Sequence, residues 1–156
     1  MSYRVIKTYG NDTGLSCAFR QWKAEGTHCR FLHGYGISFK VWFEGEPDER
    51  NWVWDFGGMK RAKTEIDGMS AKMWMDYMFD HTMLVATDDP FLESFRRMDE
   101  AGVIQLREIP ATGAEKFSEY IYGKLNPFVQ EETGGRVRVK QVEFREHGKN
   151  TAIYAE

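Results

Sequence analysis

The sequence predicts an α+β domain in which helices cover one face of an antiparallel sheet. Three observations carry that prediction. Apolar residues alternate near both ends of the chain, they recur every three to four positions through its middle, and turn formers separate the two kinds of segment. The 156 residues suffice for one domain, 1–156, with its own core.

Residues 3–9 and 12–20 read as a strand pair hinged on Gly10, Asn11 and Asp12. Residues 35–45, YGISFKVWFEG, place Ile37, Phe39, Val41 and Phe43 on one face and Ser38, Lys40, Trp42 and Glu44 on the other. GEPDER (45–50) reads as a loop and NWVWDF (51–56) as a short strand. A helical period runs from Met59 to Phe79 through Ile66, Met69, Met73 and Tyr77, interrupted by Gly68. Pro90 opens a second helix that reaches Ala101 and stops at Gly102. VIQLREI (103–109) reads as a strand. Residues 113–130 read as a third helix with Phe117, Tyr120, Ile121 and Leu125 on one side. After the Gly134–Gly135 turn, RVRVKQVEFRE and TAIYAE form a closing strand pair. The chain shows no internal repeat, low-complexity tract or linker.

Composition narrows the function classes. A net charge of −3 does not suggest a nucleic-acid surface, which is usually basic. No apolar run approaches the roughly 20 residues that a membrane span needs. MSYRVIKTYG lacks the apolar core of a signal peptide. Two cysteines do not make a disulfide framework, so a reduced, cytoplasmic protein is expected. Aromatic residues reach 15%, five of them Trp, and some of these rings are expected to line a pocket or a subunit contact.

Four features can carry chemistry: Cys29, the His33–Gly34–Tyr35 stretch, the Asp80–His81 pair, and Glu146 before the last strand. Singly, each has an ordinary structural reading. Together they form a usable set. A thiol reacts as its thiolate and needs a base or a positive charge nearby. A histidine held by an aspartate shuttles protons near neutral pH. A carboxylate at a strand end can accept two N–H bonds from the amino-pyrimidinone edge of a pterin or guanine.

In order along the chain, six segments resemble the family of 6-pyruvoyl- and 6-carboxytetrahydropterin synthases. They are LSCAFRQW (15–22), THCRFLHGYG (27–36), NWVWDFGGMK (51–60), FDHTML (79–84), IPATGAEKFSEYIY (109–122) and REHGKNTAIYAE (145–156). The resemblance implies a T-fold: an antiparallel four-stranded sheet with helices on one side, assembled into trimers or hexamers around a β-barrel, with active sites between subunits. It implies that Cys29 moves a proton on the substrate side chain with Asp80 and His81 as relay partners. Glu146 would anchor the pterin ring, helped by Glu115 and Thr112. The implied substrate is 7,8-dihydroneopterin triphosphate. The implied product is 6-carboxytetrahydropterin, on the route to 7-deazaguanines of the queuosine type, or 6-pyruvoyl-tetrahydropterin.

The family's cofactor is zinc, held by one histidine at the end of the first strand of the motif and two in His-Gly-His. Here those positions read Phe19, His33 and Tyr35. One imidazole remains, and Phe19 cannot bind a metal. Cys17, on the same strand face as Phe19, together with His28 or Tyr35, is a candidate for a substitute set with His33. Tyr35 is expected to hydrogen-bond the substrate side chain. The stretch after Asp80–His81, residues 85–103, is longer than the family needs. It is expected either to cover the pocket or to extend a subunit contact. A second reading is a non-catalytic pterin- or purine-binding protein on the same fold, motivated by the two lost ligands. A third is a purely structural oligomeric domain.

Overall fold

The computed structural model describes residues 1–156. Strands β1 (Tyr3–Tyr9), β4 (Ser38–Gly45), β7 (Val137–His147) and β8 (Asn150–Ala155) form an antiparallel four-stranded sheet in the order β1-β4-β7-β8. The alternation of residues 37–43 is what places β4 in its interior. Ile37, Phe39, Val41 and Phe43 are at most 1% exposed. Helix α4 (Ala114–Glu132) packs along β7 and β8, burying Phe117, Ile121, Leu125, Phe128 and Val129. The fold is therefore α+β, as expected.

A second sheet was not anticipated. It joins β3 (His33–Gly36), β2 (Ser16–Phe19), β5 (Asp80–Ala86) and β6 (Leu106–Ile109) in the order β3-β2-β5-β6. β2 and β3 are antiparallel, whereas β2–β5 and β5–β6 are parallel. The chain passes directly from β3 into β4 at Ile37, whose N–H donates to the Leu15 carbonyl at 3.0 Å, and β3 also meets β7. The two sheets therefore adjoin at β3.

Three sequence expectations are corrected. β1 and β2 are not a hairpin: β1 pairs with β4, and a 3-10 turn (Asn11–Thr13) carries the chain away into the other sheet. NWVWDF is not a strand. Val53 and Trp54 are buried, with Trp54 stacked on Phe43 at 5.2 Å, but the Trp52 and Val53 carbonyls accept from the Arg136 guanidinium rather than from a ladder. The helix expected over 59–79 is two, α1 (Gly58–Arg61) and α2 (Ala71–Phe79). Asp67 and Gly68 both have left-handed backbones (φ 50° and 79°), which no α-helix accommodates. Ser70 then caps α2 by accepting from the Met73 N–H.

The extra segment holds α3 (Leu92–Glu100), ended by left-handed Gly102 as expected. The two sheets and α4 share one core. Phe117 on α4 meets Phe19 edge-on at 4.8 Å and Phe144 of β7 at 5.2 Å.

Candidate active site

His81 is the extra residue of a β-bulge. Ser16 pairs with Asp80 and Cys17 with Thr82, leaving His81 unpaired. Its backbone is left-handed, φ 55°, a conformation that histidine holds only under constraint. Asp80 Oδ1 lies 2.7 Å from His81 Nδ1. A carboxylate accepts, so Nδ1 carries the proton and Nε2 presents a lone pair to the exterior. The ring is exposed.

Glu146 sits on a second bulge. Arg145 pairs with Thr151 and His147 with Asn150, so Glu146 is the residue turned out of the ladder. Beside the His81 bulge lies an open groove of about 380 Å³ lined by Cys17, Gly34, Tyr35, His81 and Thr82.

Tyr35 is the hub of this region. Burial and then the charges of Glu146 and Cys29 raise its pKa. The His147 ring packs on it at 5.6 Å. Cys17, directly across from Tyr35 on β2, is pushed up to about 12 by burial and then by Glu146, which keeps it a thiol. Cys29 stands on a one-turn 3-10 helix (His28–Arg30) with an exposed thiol. Its N–H is capped by Thr27 Oγ1 and its carbonyl accepts from the Gln21 N–H at 2.8 Å. Tyr35 thus feels the charges of Cys29 and Glu146 and shares its groove with His81.

Thr112 lies just before α4 and Glu115 on its first turn. Thr112 Oγ1 donates to the Arg20 carbonyl at 2.6 Å, and Glu115 is exposed on the first turn. Gly113, at φ 113°, makes that approach possible: a Cβ there would come within 2.4 Å of the Gln21 side-chain nitrogen.

Sequence reasoning missed Arg20 and Asp89. Asp89, its side chain 1% exposed, binds Arg20 through two contacts of 2.7 and 2.8 Å. The available signal was Arg20 itself, a cation following a buried strand residue and therefore in need of a counter-charge.

A family profile described as 6-pyruvoyl tetrahydropterin synthase matches residues 10–156. The chain belongs to this family. No curated protein sequence matches it. Among solved structures it is similar to an uncharacterized protein from Wolinella succinogenes, with 19% identity, TM-score 0.80, and 100% and 99% of the two chains covered. It is similar to the 6-pyruvoyl tetrahydropterin synthase of Plasmodium vivax, with 14% identity, TM-score 0.67, and 100% and 98% covered. The Caenorhabditis elegans 6-pyruvoyl tetrahydropterin synthase shares 17% identity at TM-score 0.56, with 100% and 95% covered. These likenesses show the shared T-fold.

The family's zinc set does not fit the side chains present. Phe19 is 2% exposed and packed against Phe117, Tyr35 and His33. His33 Nδ1 lies 2.7 Å from the Phe31 carbonyl, which can only accept, so this nitrogen carries the proton. His33 Nε2 therefore accepts from the Tyr35 hydroxyl at 2.6 Å, and its lone pair is engaged. Cys17 is held as a thiol and His28 is exposed on the 3-10 turn, where its ring meets Phe31. No three His, Cys, Asp or Glu side chains converge so as to hold a metal ion.

Proposed function

We propose that the chain is a pterin-processing lyase that acts on 7,8-dihydroneopterin triphosphate and, with uptake of one water, forms 6-carboxytetrahydropterin with loss of acetaldehyde and triphosphate, for 7-deazaguanine synthesis of the queuosine type. The reading is supported by the groove that His81 shares with Tyr35, by the charges of Glu146 and Cys29 that act on the Tyr35 phenol, and by the bulges that displace His81 and Glu146 from their ladders. Cys29 removes and returns a proton on the substrate side chain. His81, oriented by Asp80, receives protons at Nε2 and passes them on. Glu146 accepts two N–H bonds from the amino-pyrimidinone edge of the pterin. Tyr35 Oη, whose proton is engaged by His33 Nε2, accepts a hydrogen bond from a side-chain hydroxyl of the substrate, and Glu115 and Thr112 line the ring's far side.

Zinc has no place in this scheme, since Phe19 and the His33–Tyr35 pair occupy its positions. The chemistry falls to protein acids and bases alone. The protein works in the cytoplasm as a homo-oligomer, a trimer or hexamer with sites between subunits. This is supported by the edges of β1 and β8, which are unpaired within the chain and expose Tyr3, Ile6 and Ile153.

The loss of the metal set favours one second reading, a protein that binds the pterin without turning it over. The experiment is incubation with 7,8-dihydroneopterin triphosphate, followed by mass spectrometry and equilibrium binding. Product formation that Cys29→Ala abolishes while binding persists supports the lyase. Binding weakened by Glu146→Ala, with no turnover, supports the binder. Neither binding nor turnover overturns both.

A further inference from the structure

We infer that Asp89 is a positioning residue for the Cys29 loop, so that the segment between β5 and β6 serves to hold the thiol in place. The inference rests on the reading of Cys29 as the acid–base group. Residues 20–31 leave the end of β2 and return to β3, and they carry Cys29 with no strand of their own. Their stiffness comes from a few bonds. The Gln21 N–H donates to the Cys29 carbonyl, and Arg20 Nη1 donates to the Arg30 carbonyl at 3.3 Å. Arg20 therefore closes the loop at its base.

Arg20 is itself held from two directions. Asp89 grips its guanidinium through both carboxylate oxygens, and Thr112 donates to its carbonyl. Asp89 is fixed in turn: its Oδ1 accepts from the Phe91 N–H at 2.9 Å and its own N–H donates to the Ala86 carbonyl. Phe91 also lies under the guanidinium at 5.2 Å. The neighbouring Asp88 accepts from Trp22 Nε1 at 3.0 Å and pairs with Lys23 at 2.8 Å, which adds a second, solvent-exposed hold on the same loop.

A planar guanidinium met by both oxygens of a buried carboxylate has one geometry, so the pair transmits the rigidity of β5 to the loop. Shortening Asp89 or removing its charge leaves Arg20 half-buried without its partner and frees the Arg30 carbonyl contact. The fold does not need the pair for its core, because the apolar cluster includes neither residue.

The test compares wild type with Asp89→Asn and Thr112→Val by hydrogen exchange and by kinetics. The Gln21, Ala24, Thr27 and Phe31 amides, all bonded within the loop, should exchange about tenfold faster in Asp89→Asn. Amides of β4 and β7 should be unchanged. With dihydroneopterin triphosphate, kcat should fall about tenfold with KM held, because Glu146 anchors the ring from another strand. Thr112→Val, which keeps the shape and loses only the donor, should speed exchange of the same loop amides by a smaller factor. Unchanged loop exchange in both variants, or a KM rise at constant kcat in Asp89→Asn, would overturn the inference. Faster loop exchange in a protein whose wild type shows no turnover would overturn the lyase reading and leave the clasp standing.

Discussion

Replacing His81 with glycine should leave a protein more stable than replacing it with alanine. At an ordinary strand position alanine is favoured over glycine by about 0.5–1 kcal/mol, because glycine loses more backbone freedom on folding. His81 is not such a position. Its φ of 55° lies in the left-handed region, which costs a residue with a Cβ about 1–2 kcal/mol and costs glycine little. The bond to Asp80 is lost in both variants and cancels in the comparison. The difference leaves His81→Gly ahead by about 0.5–1 kcal/mol, or roughly 1–4 °C in Tm for a chain of this size. The assay is urea and thermal unfolding of both variants, with turnover of dihydroneopterin triphosphate measured alongside. Turnover should be lost in both, since neither has an imidazole. An alanine variant equal to or more stable than the glycine variant would show that the left-handed backbone carries no strain, and the argument that the site stores it would fail.

Two further outcomes follow from other parts of the molecule. Glu44 is bonded by Arg138 and Arg4, at 2.6 and 2.7 Å, and these partners hold its pKa down to about 2. The unfolded chain takes up that proton nearer the ordinary value of 4.5, so the contribution of Glu44 is present above that pH and is lost as pH falls toward about 2. Glu44→Gln should flatten the acid limb of a stability-against-pH curve, and an unaltered limb would contradict this. The double variant Phe19→His, Tyr35→His rebuilds three imidazoles with His33. By elemental analysis after growth in added zinc, it should carry about one equivalent per chain, where wild type carries less than about a tenth. A stoichiometric metal in wild type would refute the reading of the aromatic cluster.

The strands and helix whose periodicity matches a buried face could be read directly. Residues 37–43 and α4 fell where alternation and the 3.6-residue period put them, because each has one apolar side and one core to face. NWVWDF misled for the opposite reason. Its apolar content is real and buried, but its carbonyls find a guanidinium instead of a neighbouring strand, and composition does not reveal a partner 84 residues away. The parallel pairing of β2 with β5 has the same character, since its partners are distant and neither strand announces the other.

At the site, residue types were legible and geometry was not. Cys29, Asp80–His81 and Glu146 could be singled out from type and resemblance. The bulges that displace His81 and Glu146 are defined only by what lies opposite them. Arg20 and Asp89 looked like a strand-end cation and a helix-start acid, and only their separation of 69 residues in the chain closed to a hydrogen bond shows that they act together.

That long-range closure sets an order of events during synthesis. The loop bearing Cys29 emerges from the ribosome early, but the groups that hold its base, at positions 89 and 112, follow much later. Until they arrive, the sulfhydryl is on a slack tether, open to oxidation or to chance partners. A nascent chain stalled before position 89 would therefore carry that thiol without the long-range restraint it has in the finished protein.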